Sequence, residues 1–159
     1  MSIDEQILRA ARTRGHDAAL ERRVAAFSRL GEHGAVWLAI GGVGTALDAR
    51  RRRCWRKGLT TVGVTYALNT AVKLAVRRPR PALDGLPPLV GTPTGLGFPS
   101  AHTATAFAAA RCYTRCGLAP EPLYALALAL ALSRLYLGVH YPSDLLAGAL
   151  LGAAVAALA

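Results

Sequence analysis

A chain of 159 residues with 53% hydrophobic but only 6% aromatic content is too apolar, and too rich in Ala and Leu, for an ordinary soluble domain. Its net charge of +10 comes without an aromatic-interleaved basic stripe or a nucleic-acid motif. Nucleic acid is therefore not an expected partner, and anionic lipid is the simpler one for Arg residues that border apolar segments.

Residues 1–33 carry six Arg and five acids, interleaved, so they lack the uninterrupted apolar core of a cleavable signal. Ile7, Leu8, Leu20, Val24, Phe27 and Leu30 recur among Arg and Glu in a helical rhythm, which predicts one interfacial amphipathic helix. Residues 34–159 form the expected membrane-embedded domain. Its apolar stretches run Gly34 to Leu47, Gly58 to Val76, Ala101 to Leu118, Pro122 to Val139 and Leu145 to Ala159, with charge largely confined to the gaps. The expected fold is all-α: a polytopic bundle of about five apolar helices. A span needs about 20 residues, so the second and fourth stretches qualify and the others are short. A soluble bundle with apolar core helices is the competing reading, which a detergent requirement would separate.

Between the first two stretches, Arg50, Arg51, Arg52, Arg53, Arg56 and Lys57 form the densest cationic loop. Short loops of this kind stay cytoplasmic. If every stretch spans, the ends bearing Lys73, His102 and Arg134 then share the extracytoplasmic face. The Arg-rich N-terminus lies there too, against the positive-inside tendency, so either the first stretch fails to cross or the site faces inward. Cys54, Cys112 and Cys116 have no zinc-like spacing and read as free structural thiols.

Lys73 ends the second stretch, and the run Arg77-Arg78-Pro79-Arg80-Pro81 halts helical bonding. Such cations suit a snorkelling anchor or an anion site equally. Residues 82–98, rich in Gly and Pro, predict a surface loop able to cover a site. At Pro99-Ser100-Ala101-His102 the helix restarts, with Ser100 as N-cap and free first-turn amides, which attract anions. Capping alone would explain that motif. Ser133-Arg134, His140 and Asp144 then bring a cation, a histidine and a carboxylate to the junction of the last two stretches. Asp144 is four residues beyond His140, close enough to take one imidazole N–H and free the other nitrogen. Ionisable groups at membrane depth need a shared reason, and a bound phosphate supplies one.

Lys73-x6-Arg80-Pro81, Pro99-Ser100-x-His102 and Ser133-Arg134-x5-His140-x3-Asp144 together resemble the three signatures of the type 2 phosphatidic acid phosphatases, the PAP2 family, in order and separation. Ala101 stands where the family usually has Gly. The resemblance implies that His140 attacks phosphorus to give a phosphohistidine, that Asp144 orients it, and that His102 protonates the departing oxygen. Lys73, Arg80, Ser100, Ala101 through its amide, and Arg134 would hold the phosphate oxygens. It implies no metal ion and no cofactor, and the chain lacks the cluster of Asp and Glu that a divalent-metal phosphatase needs.

The implied substrate is a phosphomonoester or diphosphate on a polyprenyl or glycerol lipid whose tail stays in the bilayer. Short length and Ala- and Arg-rich composition are similar to small actinobacterial members, including those acting on decaprenylphosphoryl-ribose 5-phosphate. Undecaprenyl diphosphate and phosphatidylglycerophosphate are the family's alternatives. A vanadate haloperoxidase shares the constellation, but small size and apolar helices argue against it. A non-catalytic anionic-lipid binder is disfavoured by the intact residue set. Nothing in the sequence sets the oligomeric state.

Overall fold

The computed structural model describes residues 1–159, and regular structure in it is helical. Seven α-helices follow in order: α1 (Ile3–Thr13), α2 (Ala18–Arg29), a 3-10 turn (Glu32–Gly34), α3 (Ala35–Leu47), α4 (Arg52–Val76), α5 (Ala101–Arg115), α6 (Pro120–Tyr136) and α7 (Pro142–Leu158). The N-terminal segment is thus two helices rather than the single one expected. Gly15 adopts a left-handed φ of 66° between them, and Asp17 starts α2 afresh by accepting the amides of Ala19 and Leu20. Ser2 and Glu5 form a reciprocal capping box on α1.

Helices α3 to α7 form the bundle, with α5 at its centre touching α3, α4, α6 and α7. Small side chains make that position possible: Ala104, Ala106, Ala108, Ala109 and Ala110 are buried on α5. Opposite them, a Cβ on Gly148 of α7 would meet the Ser100 carbonyl oxygen at 2.6 Å. Close backbone approach through small residues is how helices associate where lipid removes the hydrophobic drive. At the far end Trp37, Trp55 and Tyr113 fill the core, and the Tyr113 hydroxyl donates to the Trp37 carbonyl at 2.7 Å.

The outer surface is apolar instead. Leu74, Leu146 and Leu150 are each 63% exposed, while the inward face of α4 carries buried Thr61, Thr65, Asn69 and Lys73. Leucine outside and polar groups inside is the distribution of a protein solvated by lipid. By length and composition α4, at 25 residues, is the one helix able to cross a membrane. The fourth apolar stretch, expected to qualify, becomes α6 of 17 residues, about 26 Å long at 1.5 Å per residue, because Pro120 sets its start and Gly138, with φ of 74°, ends it.

The expectation of free thiols is corrected for two of the three cysteines. Cys54 near the start of α4 and Cys116 at the end of α5 are joined in a disulfide across a Cα–Cα distance of 5.6 Å. Only Cys112 is free, and it is buried. A separation of 62 residues hid the pairing, since spacing along the chain says nothing about which helix ends meet.

Candidate active site

Every motif residue comes to one end of the bundle, opposite the disulfide. Helix α4 stops at Arg77, which takes a left-handed φ of 54° ahead of Pro79 and Pro81. The chain then runs antiparallel to the segment before α5: the Arg80 amide donates to the Gly95 carbonyl at 2.9 Å and the Gly97 amide to the Arg78 carbonyl at 2.8 Å. This short pairing binds the first motif to the second. Gly97 suits this close approach, because a Cβ would sit tightly, 3.1 Å from an Asp144 carboxylate oxygen and 3.3 Å from the Pro79 carbonyl.

The His140–Asp144 pair forms as its spacing predicts. His140 is 2% and Asp144 0% exposed; His140 Nδ1 lies 3.3 Å from Asp144 Oδ2. The same oxygen accepts the Tyr141 amide at 2.9 Å, so Asp144 caps its own helix while holding the imidazole. On the other side, His140 Nε2 lies 3.1 Å from Arg80 Nη1. A guanidinium can only donate, so Nε2 must accept, which puts the ring proton on Nδ1 facing the carboxylate. Burial pushes the His140 pKa down to about 4; the Asp144 hydrogen bond and charge oppose this shift, and the charges of Arg80 and Arg134 reinforce it. The imidazole is therefore neutral at neutral pH, with a lone pair on the nitrogen that faces the cations.

The remaining motif residues line one cavity of about 390 Å³, bounded by Lys73, Arg80, Ala101, His102, Arg134 and His140 on one side. His102 Nε2 is buried and makes no hydrogen bond within the protein, leaving it free to exchange a proton with a bound molecule. Arg134 donates through Nη1 to the Ser28 hydroxyl at 2.8 Å, while its Nε is buried without a partner. Ser100 is at the N-cap position of α5 but makes no capping bond with its side chain. Instead, its hydroxyl accepts from Thr103 at 3.1 Å. Its own amide donates to the Asp144 carbonyl at 3.0 Å, which ties the second motif to the third. The first α5 amide with a backbone acceptor is that of Ala104, bonded to the Ser100 carbonyl, and the earlier ones remain available for an anion.

Lys73 departs from the simple expectation. Its ammonium donates to the carbonyls of Leu96, Gly97 and Pro99 at 3.1, 3.1 and 3.0 Å, which uses all three donors. In this arrangement it fixes the strand-like segment leading into α5 and adds positive charge to the cavity wall.

Three groups that the motif reading passed over join the site. Arg78 donates to Asp144 Oδ1 at 3.0 Å and to Asp4 Oδ2 at 2.9 Å, and its guanidinium stacks 4.5 Å over the Tyr141 ring. Asp4 accepts the Ser143 amide at 3.0 Å and the Ser143 hydroxyl. Burial alone would raise the Asp4 carboxyl, but the bonds from Ser143 and Arg78 outweigh it and hold the carboxyl below its usual range. Ser28 meets Arg134. Arg78 was visible as one of a run of cations. Asp4 and Ser28 gave no signal, since both read as ordinary residues of an amphipathic segment, at least 74 positions from their partners.

A helical bundle with an apolar outer face and a cationic, histidine-bearing pocket at one end defines a membrane enzyme that works on a phosphate group. Residues 56–159 match the PAP2 superfamily. Over 131 residues the chain is 41% identical to the decaprenylphosphoryl-5-phosphoribose phosphatase of Mycobacterium tuberculosis, covering 82% of this chain and 73% of that protein. It is 39% identical over 123 residues to the enzyme of the same name from Mycolicibacterium smegmatis, with 77% and 68% coverage. Among solved structures it is similar to the transmembrane PAP2-type phosphatidylglycerolphosphate phosphatase from Bacillus subtilis, with a TM-score of 0.79, 26% identity and coverage of 98% of this chain and 81% of that one. LpxE from Aquifex aeolicus shares the fold, with a TM-score of 0.77, 23% identity and coverage of 99% and 94%. The chain belongs to the PAP2 superfamily. It is a membrane lipid phosphatase, a hydrolase of phosphoric esters.

Proposed function

We propose that the chain hydrolyses a phosphomonoester on a polyprenyl-linked sugar, with decaprenylphosphoryl-5-phosphoribose as the first candidate, through a phosphohistidine at His140. The observation that carries the mechanism is the line Asp144, His140, Arg80: a carboxylate on one ring nitrogen and a guanidinium at the other. Substrate phosphate replaces the imidazole as the partner of Arg80, and Nε2 then faces phosphorus. Attack forms the N–P bond as the ester P–O bond breaks, and protonated His102 gives its proton to the leaving oxygen. Neutral His102 next deprotonates water, which attacks phosphorus, releases phosphate and restores His140. Arg80, Arg134 and the first-turn amides of α5 stabilise the charge on the equatorial oxygens. Lys73 holds the loop that frames them.

Residues 34–159 supply most of this machinery as the membrane-embedded domain, and residues 1–33 lie against its catalytic end as an interfacial segment. The cationic run of residues 50–57, expected as a loop but mostly folded into the first turns of α4, favours the cytoplasm for the opposite end and so an extracytoplasmic site. The Cys54–Cys116 bridge, at the same end as that run, points the other way, to an oxidising compartment at that end. A reporter in the 82–98 loop reads out the side directly.

The deciding experiment is phosphate release in detergent, with chelator present, from a lipid-linked pentose phosphate, a polyprenyl diphosphate and phosphatidate, comparing wild type with His140→Ala. Chelator-resistant release that depends on His140 supports the proposal. Equal release by the variant, or dependence on added metal, overturns the mechanism.

A further inference from the structure

The cavity is larger than a phosphate requires. The cavity has about 390 Å³, whereas a five-atom phosphate group takes about 150 Å³ even at water's share of liquid volume, roughly 30 Å³ per non-hydrogen atom. The rest is bounded by Glu32, His33, Tyr66, Thr70 and the Gly91–Thr94 loop, and no Leu, Ile, Val, Met or Phe lines it. A pocket that receives the acyl-glycerol portion of a phospholipid needs apolar wall. This wall offers hydroxyls, an imidazole and a carboxylate, set among the Tyr66 ring, Pro93 and the threonine methyls.

The polar wall is also fixed in place beside the proton donor. Gly31, Glu32 and His33 form the turn between α2 and α3, and a Cβ on Gly31 would lie 2.7 Å from the His102 ring, so this turn rests directly on His102. His33 holds a left-handed φ of 51°, and its Nδ1 is 2.8 Å from the Tyr66 hydroxyl on α4, with the rings edge to face. A non-glycine residue in that conformation needs surrounding structure to hold it, and the Tyr66 contact supplies a hold. Glu32 is the only acid lining a cavity that otherwise carries Lys73, Arg80 and Arg134.

We propose that Glu32, His33, Tyr66 and Thr70 form a subsite that reads the leaving alcohol. Glu32 accepts hydrogen bonds from hydroxyls next to the scissile ester oxygen, so the site selects a sugar or other polyol phosphate. The same carboxylate repels a second phosphate in that position and disfavours diphosphates. The inference rests on the phosphatase reading of the cavity and goes beyond it by naming the group that sets specificity.

The test compares wild type, Glu32→Gln, Glu32→Ala and Tyr66→Phe in detergent. The probes are a polyprenyl-phosphoryl-pentose 5-phosphate, phosphatidate and a polyprenyl diphosphate, with inhibition by inorganic phosphate as the folding-sensitive control. Glu32→Ala is expected to lower kcat/KM ten- to a hundred-fold on the pentose substrate, to change phosphatidate less than three-fold, and to raise diphosphate hydrolysis. Glu32→Gln keeps an acceptor without the charge, so it retains more of the pentose activity while gaining the diphosphate activity. Tyr66→Phe, which frees His33, is expected to raise KM on the pentose substrate alone. Equal losses on all three substrates, or an unchanged pentose rate in Glu32→Ala, overturn the subsite while leaving the phosphatase intact. Wild type active on phosphatidate but silent on the pentose substrate also overturns the subsite alone. Silence of wild type on all three overturns the phosphatase reading with it.

Discussion

Replacing Arg78 tests whether Asp144 is held from both sides. Asp144 is fully buried, and its Oδ1 has Arg78 as its partner while Oδ2 serves His140 and the Tyr141 amide. A hydrogen bond to a charged group contributes about 1.5–3 kcal/mol. If Arg78→Ala passes that loss to the orientation of His140, kcat falls about 10- to 100-fold at about 1.4 kcal/mol per decade. KM moves little, because Arg78 does not line the cavity. Arg78→Lys keeps the charge and recovers part of the rate, although it cannot bridge Asp4 and Asp144 as a planar fork does. The assay is steady-state phosphate release in detergent, run also in an Asp144→Asn background, where removal of Arg78 should cost much less because the two residues act through one contact. A kcat within two-fold of wild type for Arg78→Ala, or full additivity with Asp144→Asn, would refute the argument.

Four further outcomes follow from the geometry. His140→Ala should abolish turnover and leave a folded, detergent-soluble protein, whereas Arg52→Ala, at the opposite end and bonded only to the Thr45 carbonyl, should leave phosphate release within two-fold; a matched loss in both would point to the fold instead of the nucleophile. His102→Ala should slow simple alkoxide leaving groups far more than an activated aryl ester, and equal slowing of both would contradict proton donation. Gly148→Ala, with its Cβ 2.6 Å from the Ser100 carbonyl, should destabilise the α5–α7 contact by about 1–3 kcal/mol, read as a lowered thermal midpoint; an unchanged midpoint would mean the helices separate freely. The His140 pKa of about 4 when folded, against about 6.5 in an unfolded chain, means that the unfolded state takes up the proton first as pH falls. The His140 contribution is complete above about pH 6.5 and is lost as pH drops toward 4, on the order of 3 kcal/mol. His140→Asn should lose less stability than wild type over that interval, and parallel melting curves would count against a buried neutral imidazole.

Much of the catalytic end was legible in the chain because its chemistry is local. His140 and Asp144 lie one helical turn apart, so their pairing follows from spacing, and Pro142 marks where α7 begins. The prolines after Lys73 and before Ser100 likewise marked where helices end and restart. Apolar stretches named the bundle helices and the lipid as their solvent, because burial in a bilayer requires continuous apolar sequence. Local pattern failed where partners are distant. It merged α1 and α2 into one helix, since the apolar positions on either side of Gly15 read as one amphipathic segment, and the left-handed backbone at Gly15 separates them. It left Cys54 and Cys116 as thiols, gave no sign that the Lys73 ammonium also holds the 96–99 carbonyls, and gave no role to Asp4, Ser28 or Glu32. Sequence by itself determined the helical class, the membrane setting and which residues are candidates for the chemistry, all properties of short windows. Only the tertiary structure decided how five helix ends and an N-terminal segment converge, because contacts such as Arg78 with Asp4 and Gly31 with His102 depend on packing that no local window contains.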